Sequence, residues 1–342
     1  MSRQETKGPP RLADVAARAG VSIGTASKAL NNQGALRPQT RARVVSAAEE
    51  LGFVPNALAR NLLQGRSFTV GLIASDVVGR FSIPVTLGVE DTLGAGRIAV
   101  LFCDGRGDPI REEHYLRSLL SRRVDGIIVA GGQSDPRPPI AGRLPVPVVY
   151  AWTPSTDPMD VSVVPDHEGG AYSAVRHLLG TGHRQVGHVT GPHQFRSVAL
   201  RTEGALRALS ENGLELALPG VLYGDWSEAW GRQAAAVLVS SCPDLDAVFC
   251  GNDEIARGVA DGLRDLGRRV PDDVALMGFD NWEIMSAHAR VPLSTVDMNL
   301  HEVGRAAAQR LLQAINGGTR HGIEYLPCQL VVRESTGVRR AP

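Results

Sequence analysis

Lysine is nearly missing from this chain of 342 residues: it occurs only at Lys7 and Lys28, and arginine supplies the remaining cations. Cysteine is scarce too. Cys103, Cys242, Cys250 and Cys328 are scattered, without the paired spacing of a zinc site or a dithiol, so reduced thiols are expected. No run of 18 apolar residues exists, which excludes a membrane-spanning helix from the sequence reading. The opening MSRQETKGPP lacks the apolar centre of a signal peptide, and a cytoplasmic location is expected. HExxH, Walker A and GxGxxG patterns are absent, and there is no G-x-S-x-G nucleophile elbow: the one such string, Gly20 to Gly24, joins two helical stretches and not a strand to a helix. His177, His183, His188 and His193 fall across a helix, a loop and a strand, not on one face. These absences argue against an enzyme; no catalytic residue, metal or cofactor is assigned.

The zero net charge conceals an asymmetry. Residues 1–66 hold ten Lys/Arg against four Asp/Glu, leaving 26 against 32 for the rest. A basic amino-terminal segment on an acidic body is an electrostatic footprint for nucleic acid. Within it, Leu12, Val15, Ala16 and Ala19 repeat at helical spacing. Gly20 breaks that helix, Val21 turns back to the core, and Ser22 is placed to cap a second helix that buries Ala26, Ala29 and Leu30. Two short helices joined by a tight glycine turn form a helix-turn-helix. Its outward face supplies the candidate DNA-binding residues Ser22, Ile23, Gly24, Thr25, Ser27, Lys28 and Asn31. Pro38 and Gly52 bracket a third helix, whose Val44, Val45, Ala48 and Leu51 are expected to close a three-helix core.

The segments DVAARAGVS, T-x-S-x-x-L-N and TRARVVSAAEELGFVPNALARNL resemble the headpiece of the lactose/galactose repressor (LacI-type) family. The likeness runs on through RSFTVGLI, SRRVDGIIV, GDWS, FCGNDEIARG, VPDDVALMGFDN and VVREST, and so covers about Leu12 to Thr336. Two departures stand out in the headpiece. Arg11 occupies a capping position where the family usually has Thr or Ser, and Lys28 replaces the usual Arg. After Phe53-Val54-Pro55, Asn56 can cap ALARNLL. The resemblance implies a hinge helix there, with Leu62 as a wedge inserted into the minor groove beside Ala59. Asn56, Ala59 and Leu62 therefore join the candidate DNA contacts. The alternative is a linker helix whose leucines merely pack on the body.

From Phe68 the pattern changes. TVGLIAS, IAVLFCD, VDGIIVAG and VPVVYAW, then HRQVGHVTG, LDAVFCGND and DVALMGFDN, are apolar runs separated by helical stretches, the mark of buried parallel strands. The expected fold is a small all-α helix-turn-helix headpiece followed by an α/β core of two doubly wound parallel-sheet lobes, similar to periplasmic sugar-binding proteins. The expected divisions are 1–55 for the headpiece with a tail at 1–10, 56–66 for hinge and linker, and 67–342 for the core. Lobe 1 takes about 67–165 and 298–325; lobe 2 takes about 166–297 and 326–338. The family pattern implies crossings near Pro165, Asp297 and Tyr325.

Ligands of such sheets sit beyond the carboxyl ends of the strands. Asp76, Asp104, Asp166, Asn252 and Asp280 stand at those ends, Arg201 adds a planar donor, and Trp152 and Trp226 add flat apolar faces. The resemblance strengthens Arg201, Asn252, Asp280 and Trp226, and brings in Phe81 from the GRFS loop, which departs from the family's Asn-Pro-Phe-Phe. Ala151 stands where many members have Asp. This set suits a small neutral or weakly acidic saccharide. The expected protein is a transcriptional regulator, a repressor by preference, controlled by a sugar or sugar-derivative effector and binding a pseudo-palindromic operator as a homodimer. After Thr336 only GVRRAP follows, so no heptad tail for a tetramer is expected. The alternatives are a two-lobed solute-binding protein for sugar transport, or an activator or effector-independent regulator.

Overall fold

A computed structural model describes residues 10–53, 66–76 and 79–337, and the chain divides into two compact units between Ser67 and Phe68. The assignments to Asn56, Ala59 and Leu62 lie outside the described residues. In the first unit, α1 (Leu12–Arg18), α2 (Ile23–Leu30) and α3 (Pro38–Glu50) pack as a trio. Arg11 has no acceptor to cap α1. Asp14 closes that turn instead, accepting the Arg11 backbone N–H at 2.7 Å. Gly20, at φ +63°, makes the sharp exit from α1. Ser22 then caps α2 by accepting the Thr25 N–H at 3.1 Å.

The core of this unit is built from Val15, Ala16, Ala19, Ala26, Ala29, Val44, Ala47 and Ala48, with Val21, Leu30 and Leu51 packed against it. The inclusion of Val45 is corrected: it is exposed, and Ala47 takes its place. Positions 44, 47, 48 and 51 share one helical face at i, i+3, i+4 and i+7, whereas residue 45 points about 100° away.

The second unit holds two parallel sheets. The first contains β1 (Thr69–Ala74), β2 (Ala99–Asp104), β3 (Gly126–Ala130), β4 (Val148–Ala151), β5 (Val161–Pro165) and, from far along the chain, β11 (Gly322–Leu326). Their spatial order is β11-β5-β4-β3-β1-β2. The second contains β6 (Val186–Thr190), β7 (Val221–Tyr223), β8 (Ala247–Cys250) and β9 (Ala275–Met277), in the order β7-β6-β8-β9. β10 (Thr295–Asp297) and β12 (Gln329–Val331) pair antiparallel as a separate ribbon. The chain thus leaves the first sheet after Pro165, returns to it after Asp297, and leaves again after Leu326.

Strand residues alternate between two cores. Leu72 and Ile128 face one cluster while Ile73, Ile127 and Val129 face another. In the second sheet Phe249 and Met277 join the first of these clusters, and Val248 and Leu276 a third. The first cluster therefore runs through both lobes. Helix α4 (Ser82–Ala95) packs on α11 (Leu300–Ile315) at Gly88, where a Cβ would strike the His301 carbonyl. In each sheet the order reverses once, between β1 and β3 and between β6 and β8. Such a reversal leaves a crevice at the carboxyl ends of the strands.

Candidate functional site

Two surfaces carry chemistry, one in each unit. On the headpiece, Ile23 is 55% exposed at the start of α2, with Gly24 and Lys28 also exposed and Thr25, Ser27 and Asn31 half-buried. Asn31 Nδ2 lies 3.4 Å from Ser27 Oγ. Arg41 of α3 donates to the Ala29 carbonyl at 3.2 Å and to the Asn32 side chain, which fixes the turn leaving α2. The outward face of α2 is short, nearly flat and monocationic. A major groove accepts such a face: Ile23 fits a thymine methyl, Gly24 permits close backbone approach, and Lys28 is a point charge.

In the second unit a cavity of about 240 Å³ opens where both crevices meet. It is lined from the first lobe by Arg80, Phe81, the segment Gly132 to Asp135, and Trp152, and from the second by Phe195, Ser197, Arg201, Trp226, Asn252, Glu254, Asp280 and Met298. Most of these groups follow the carboxyl end of a strand or begin the helix after it, and Arg201 reaches in from the second turn of such a helix.

Asp280 is the hub. Its Oδ1 pairs with Arg201 at 3.1 Å and its Oδ2 with Arg80 at 2.6 Å, so a carboxylate of one lobe is shared by guanidinium groups from both. It sits at φ +98°, a conformation that costs an L-residue energy and is held by its surroundings. Arg201 is almost fully buried on α7 (Arg196–Ser210), donates to the Gly251 carbonyl, and lies over the Phe279 ring at 3.8 Å. Burial pulls its pKa down from the arginine range, opposed chiefly by Asp280.

Arg201 also donates to His167 Nδ1 at 3.4 Å. Arginine only donates, so that nitrogen is bare and the proton sits on Nε2, which donates to Ser134 Oγ at 2.9 Å. Burial, and then the charge on Arg201, holds His167 well below the usual histidine range, hence neutral. Trp152 Nε1 donates to the same Ser134 oxygen at 2.9 Å, leaving the hydroxyl hydrogen of Ser134 free to donate elsewhere. Asp135 accepts the Arg196 N–H at 2.9 Å with Oδ1, while Oδ2 is buried and without a partner among the described residues. The cavity thus offers donors and acceptors alternately, between the tilted rings of Phe81 and Trp152, 4.3 Å apart, and of Phe195 and Trp226, 6.2 Å apart. Trp226 reaches its place only because residue 191 is glycine: a Cβ there would lie inside the indole.

Of the residues proposed from sequence, Phe81, Trp152, Arg201, Trp226, Asn252 and Asp280 meet in this cavity. Asp76, Asp104 and Asp166 do not line it, and their placement is corrected. Asp76 accepts the Phe81 N–H at 2.7 Å and the Ser82 N–H at 3.1 Å, building the loop that aims Arg80 and Phe81. Asp104 accepts the Arg106 N–H at 2.9 Å beyond β2, the sheet's edge strand. Asp166 caps α6 (His167–Gly180) through the Gly169 N–H at 2.9 Å. Asn252 serves two partners, since its Oδ1 caps α9 (Asp253–Asp265) and its Nδ2 donates to Glu254 at 3.2 Å. Sequence reading missed Arg80, Ser134, Asp135, His167, Phe195 and Glu254. The strand-end rule already pointed to Ser134 and Asp135, which follow the run VDGIIVAGG after Gln133.

Residues 11–56 match the model of bacterial regulatory proteins of the lacI family, and residues 175–336 match the periplasmic binding protein-like domain. The HTH-type transcriptional regulator CelR of Thermobifida fusca is 34% identical over 340 residues, which cover 97% of this chain and 99% of that one. The chain belongs to the lacI family. A solved CelR–cellobiose complex, 32% identical, has a TM-score of 0.65 over 95% of this chain and 99% of that one. The lac repressor dimer bound to operator and the anti-inducer ONPF is 26% identical, with a TM-score of 0.78 over 96% of this chain and 100% of that one. This lacI-family member is a sequence-specific DNA-binding transcriptional regulator, and the family is one of regulators, not enzymes. Among the described residues no helix is long and apolar enough to cross a membrane.

Proposed function

We propose that this regulator is a repressor whose grip on its operator is set by a small neutral or weakly acidic saccharide bound between the two lobes. The observation that carries this reading is the convergence in one cavity of a planar cation, a shared carboxylate, an amide and paired aromatic rings, drawn from both lobes. Carboxylate and guanidinium groups satisfy vicinal hydroxyls, and indole faces cover the apolar side of a sugar ring. The related CelR complex holds cellobiose, a sugar, in a protein of the same family.

The regulator works in the cytoplasm as a homodimer on a pseudo-palindromic operator; the related lac repressor was solved as a dimer bound to operator. The cleft is a binding site without catalysis: the histidine beside it, His167, is neutral and spent on Arg201 and Ser134. The candidate DNA contacts are Ser22, Ile23, Gly24, Thr25, Ser27, Lys28 and Asn31 on the headpiece.

The test is a thermal-shift screen of the purified chain against a panel of monosaccharides and disaccharides, since a ligand of the native state raises Tm. Operator binding by fluorescence anisotropy, with and without each hit, follows. A sugar that raises Tm and weakens operator binding supports the reading. A panel that leaves Tm unmoved removes the saccharide, and a reporter whose output falls when the regulator is deleted removes the repressor.

A further inference from the structure

Behind the main cavity lies a second of about 240 Å³, lined by Pro84, Asn281, Trp282, Asp297, Asn299 and His301 among others. Arg80, Phe81 and Asp280 line both. Arg80 is the partition's centre. Its guanidinium is held 2.6 Å from Asp280 and 3.5 Å from Glu254, and lies over two rings, Phe81 at 4.8 Å and Trp282 at 4.4 Å. It therefore occupies one carboxylate oxygen and one indole face, the two features by which protein sites hold a sugar ring. The rear chamber is otherwise equipped for a polyol: Asp297 is oriented by Asn281 Nδ2 at 2.9 Å and by the Asn299 N–H at 2.7 Å. The front chamber alone falls below the roughly 300–1,000 Å³ of sites for drug-sized ligands, which suits one ring and not two.

We propose that Arg80 is a specificity residue that limits the effector to a single sugar ring, by walling off a second ring-sized chamber between Trp282 and Asp297. This rests on the saccharide reading given above. A bound ring in the front chamber still finds Asp280 usable, because a carboxylate paired with two guanidinium groups keeps lone pairs for a hydroxyl. A disaccharide must displace Arg80 from Asp280, Glu254 and both rings at once, and this charge-assisted arrangement is costly to break in a half-buried site.

The experiment compares the chain with Arg80→Ala by calorimetric titration of glucose, galactose, mannose, xylose and ribose, and of cellobiose, maltose, lactose and xylobiose. The native chain is expected to bind a monosaccharide about tenfold or more tighter than the disaccharide built from it, and Arg80→Ala to abolish or reverse that preference. A native chain that binds the disaccharide as tightly as its unit overturns the proposal, as does an Arg80→Ala variant with an unchanged ratio. If no sugar binds either protein, the saccharide reading itself has failed.

A sugar-free arm tests the wall directly. Arg80→Ala is expected to increase acrylamide quenching of the fluorescence component that Trp282→Phe removes. Unchanged quenching of that component shows that Arg80 does not shield the chamber and overturns the proposal whatever the cleft binds.

Discussion

Asp253 lies fully buried in the first turn of α9, where its carboxylate accepts the Thr295 hydroxyl at 2.6 Å and the Trp282 N–H at 2.7 Å. Burial, and then the nearby Asp280, push its pKa up from 3.8 to about 7. The folded chain thus holds this proton more tightly than the unfolded chain does. The stability it brings is present at low pH and is lost as pH rises from about 4 through 7, at up to about 1.4 kcal/mol per pH unit. His188 works in the opposite sense. It is buried between the Phe249 carbonyl at 3.0 Å and Thr202 at 3.2 Å, and burial depresses it to about 4. Its contribution is present above 6.5 and is lost as pH falls toward 4. The two effects overlap, so the informative quantity is a difference between proteins. In Asp253→Asn the amide oxygen can accept the Trp282 N–H and the amide can donate to Thr295. The Tm of Asp253→Asn relative to the native chain is expected to rise between roughly pH 4 and pH 7 and to level off above it. A constant difference in the same melts would show that Asp253 carries no raised proton affinity.

At the level of elements, the strand-end carboxylates divide by what the loop after each strand reaches. Apolar runs reveal where strands end, but not which strands are neighbours. Asp104 follows β2 at the edge of its sheet and Asp166 follows β5 beyond β4, both away from the reversal between β1 and β3. Both carboxylates therefore serve their own turns. Asp280 also follows an edge strand, β9, so strand order does not set it apart from Asp104; what does is the loop after β9, which brings it to Arg201 of α7 and Arg80 of the other lobe. The headpiece was legible because helical spacing and caps are local: each of Gly20, Ser22 and the buried alanines is read against neighbours three or four residues away. Arg80 was not legible, since its partners Asp280 and Glu254 lie far along the chain and on the other lobe. On the recognition helix itself, Lys28 is the exposed cation of α2, carried on a flexible stem, without the fork of an arginine. Lys28→Ala is expected to weaken operator binding and to lower base discrimination at one position of each half-site, by about 1–3 kcal/mol, measured by anisotropy against single-base operator variants. Uniform weakening across all variants would make Lys28 a phosphate contact instead.

One headpiece contributes only a short α2 face to recognition, so specificity at the scale of the whole molecule depends on bringing two copies onto one site. The first lobe has a surface suited to this. On α4, Ile83 and Leu87 are 57% and 50% exposed one turn apart, and Phe102, on the neighbouring edge strand β2, is 49% exposed. Apolar side chains grouped on a helix face and a sheet edge are a liability in a monomer and a gain in an assembly. A partner copy that covers them doubles the headpieces held near DNA and makes the second contact effectively intramolecular. Leu87→Glu places a charge on that face while leaving the cavity residues untouched. Analytical ultracentrifugation is expected to show the variant shifted toward monomer, and its operator affinity is expected to fall by about tenfold or more. Its affinity for whichever sugar the native chain binds should be unchanged, because the cavity is assembled within one chain. A Leu87→Glu protein that remains dimeric at micromolar concentration would place the dimer interface elsewhere on the molecule.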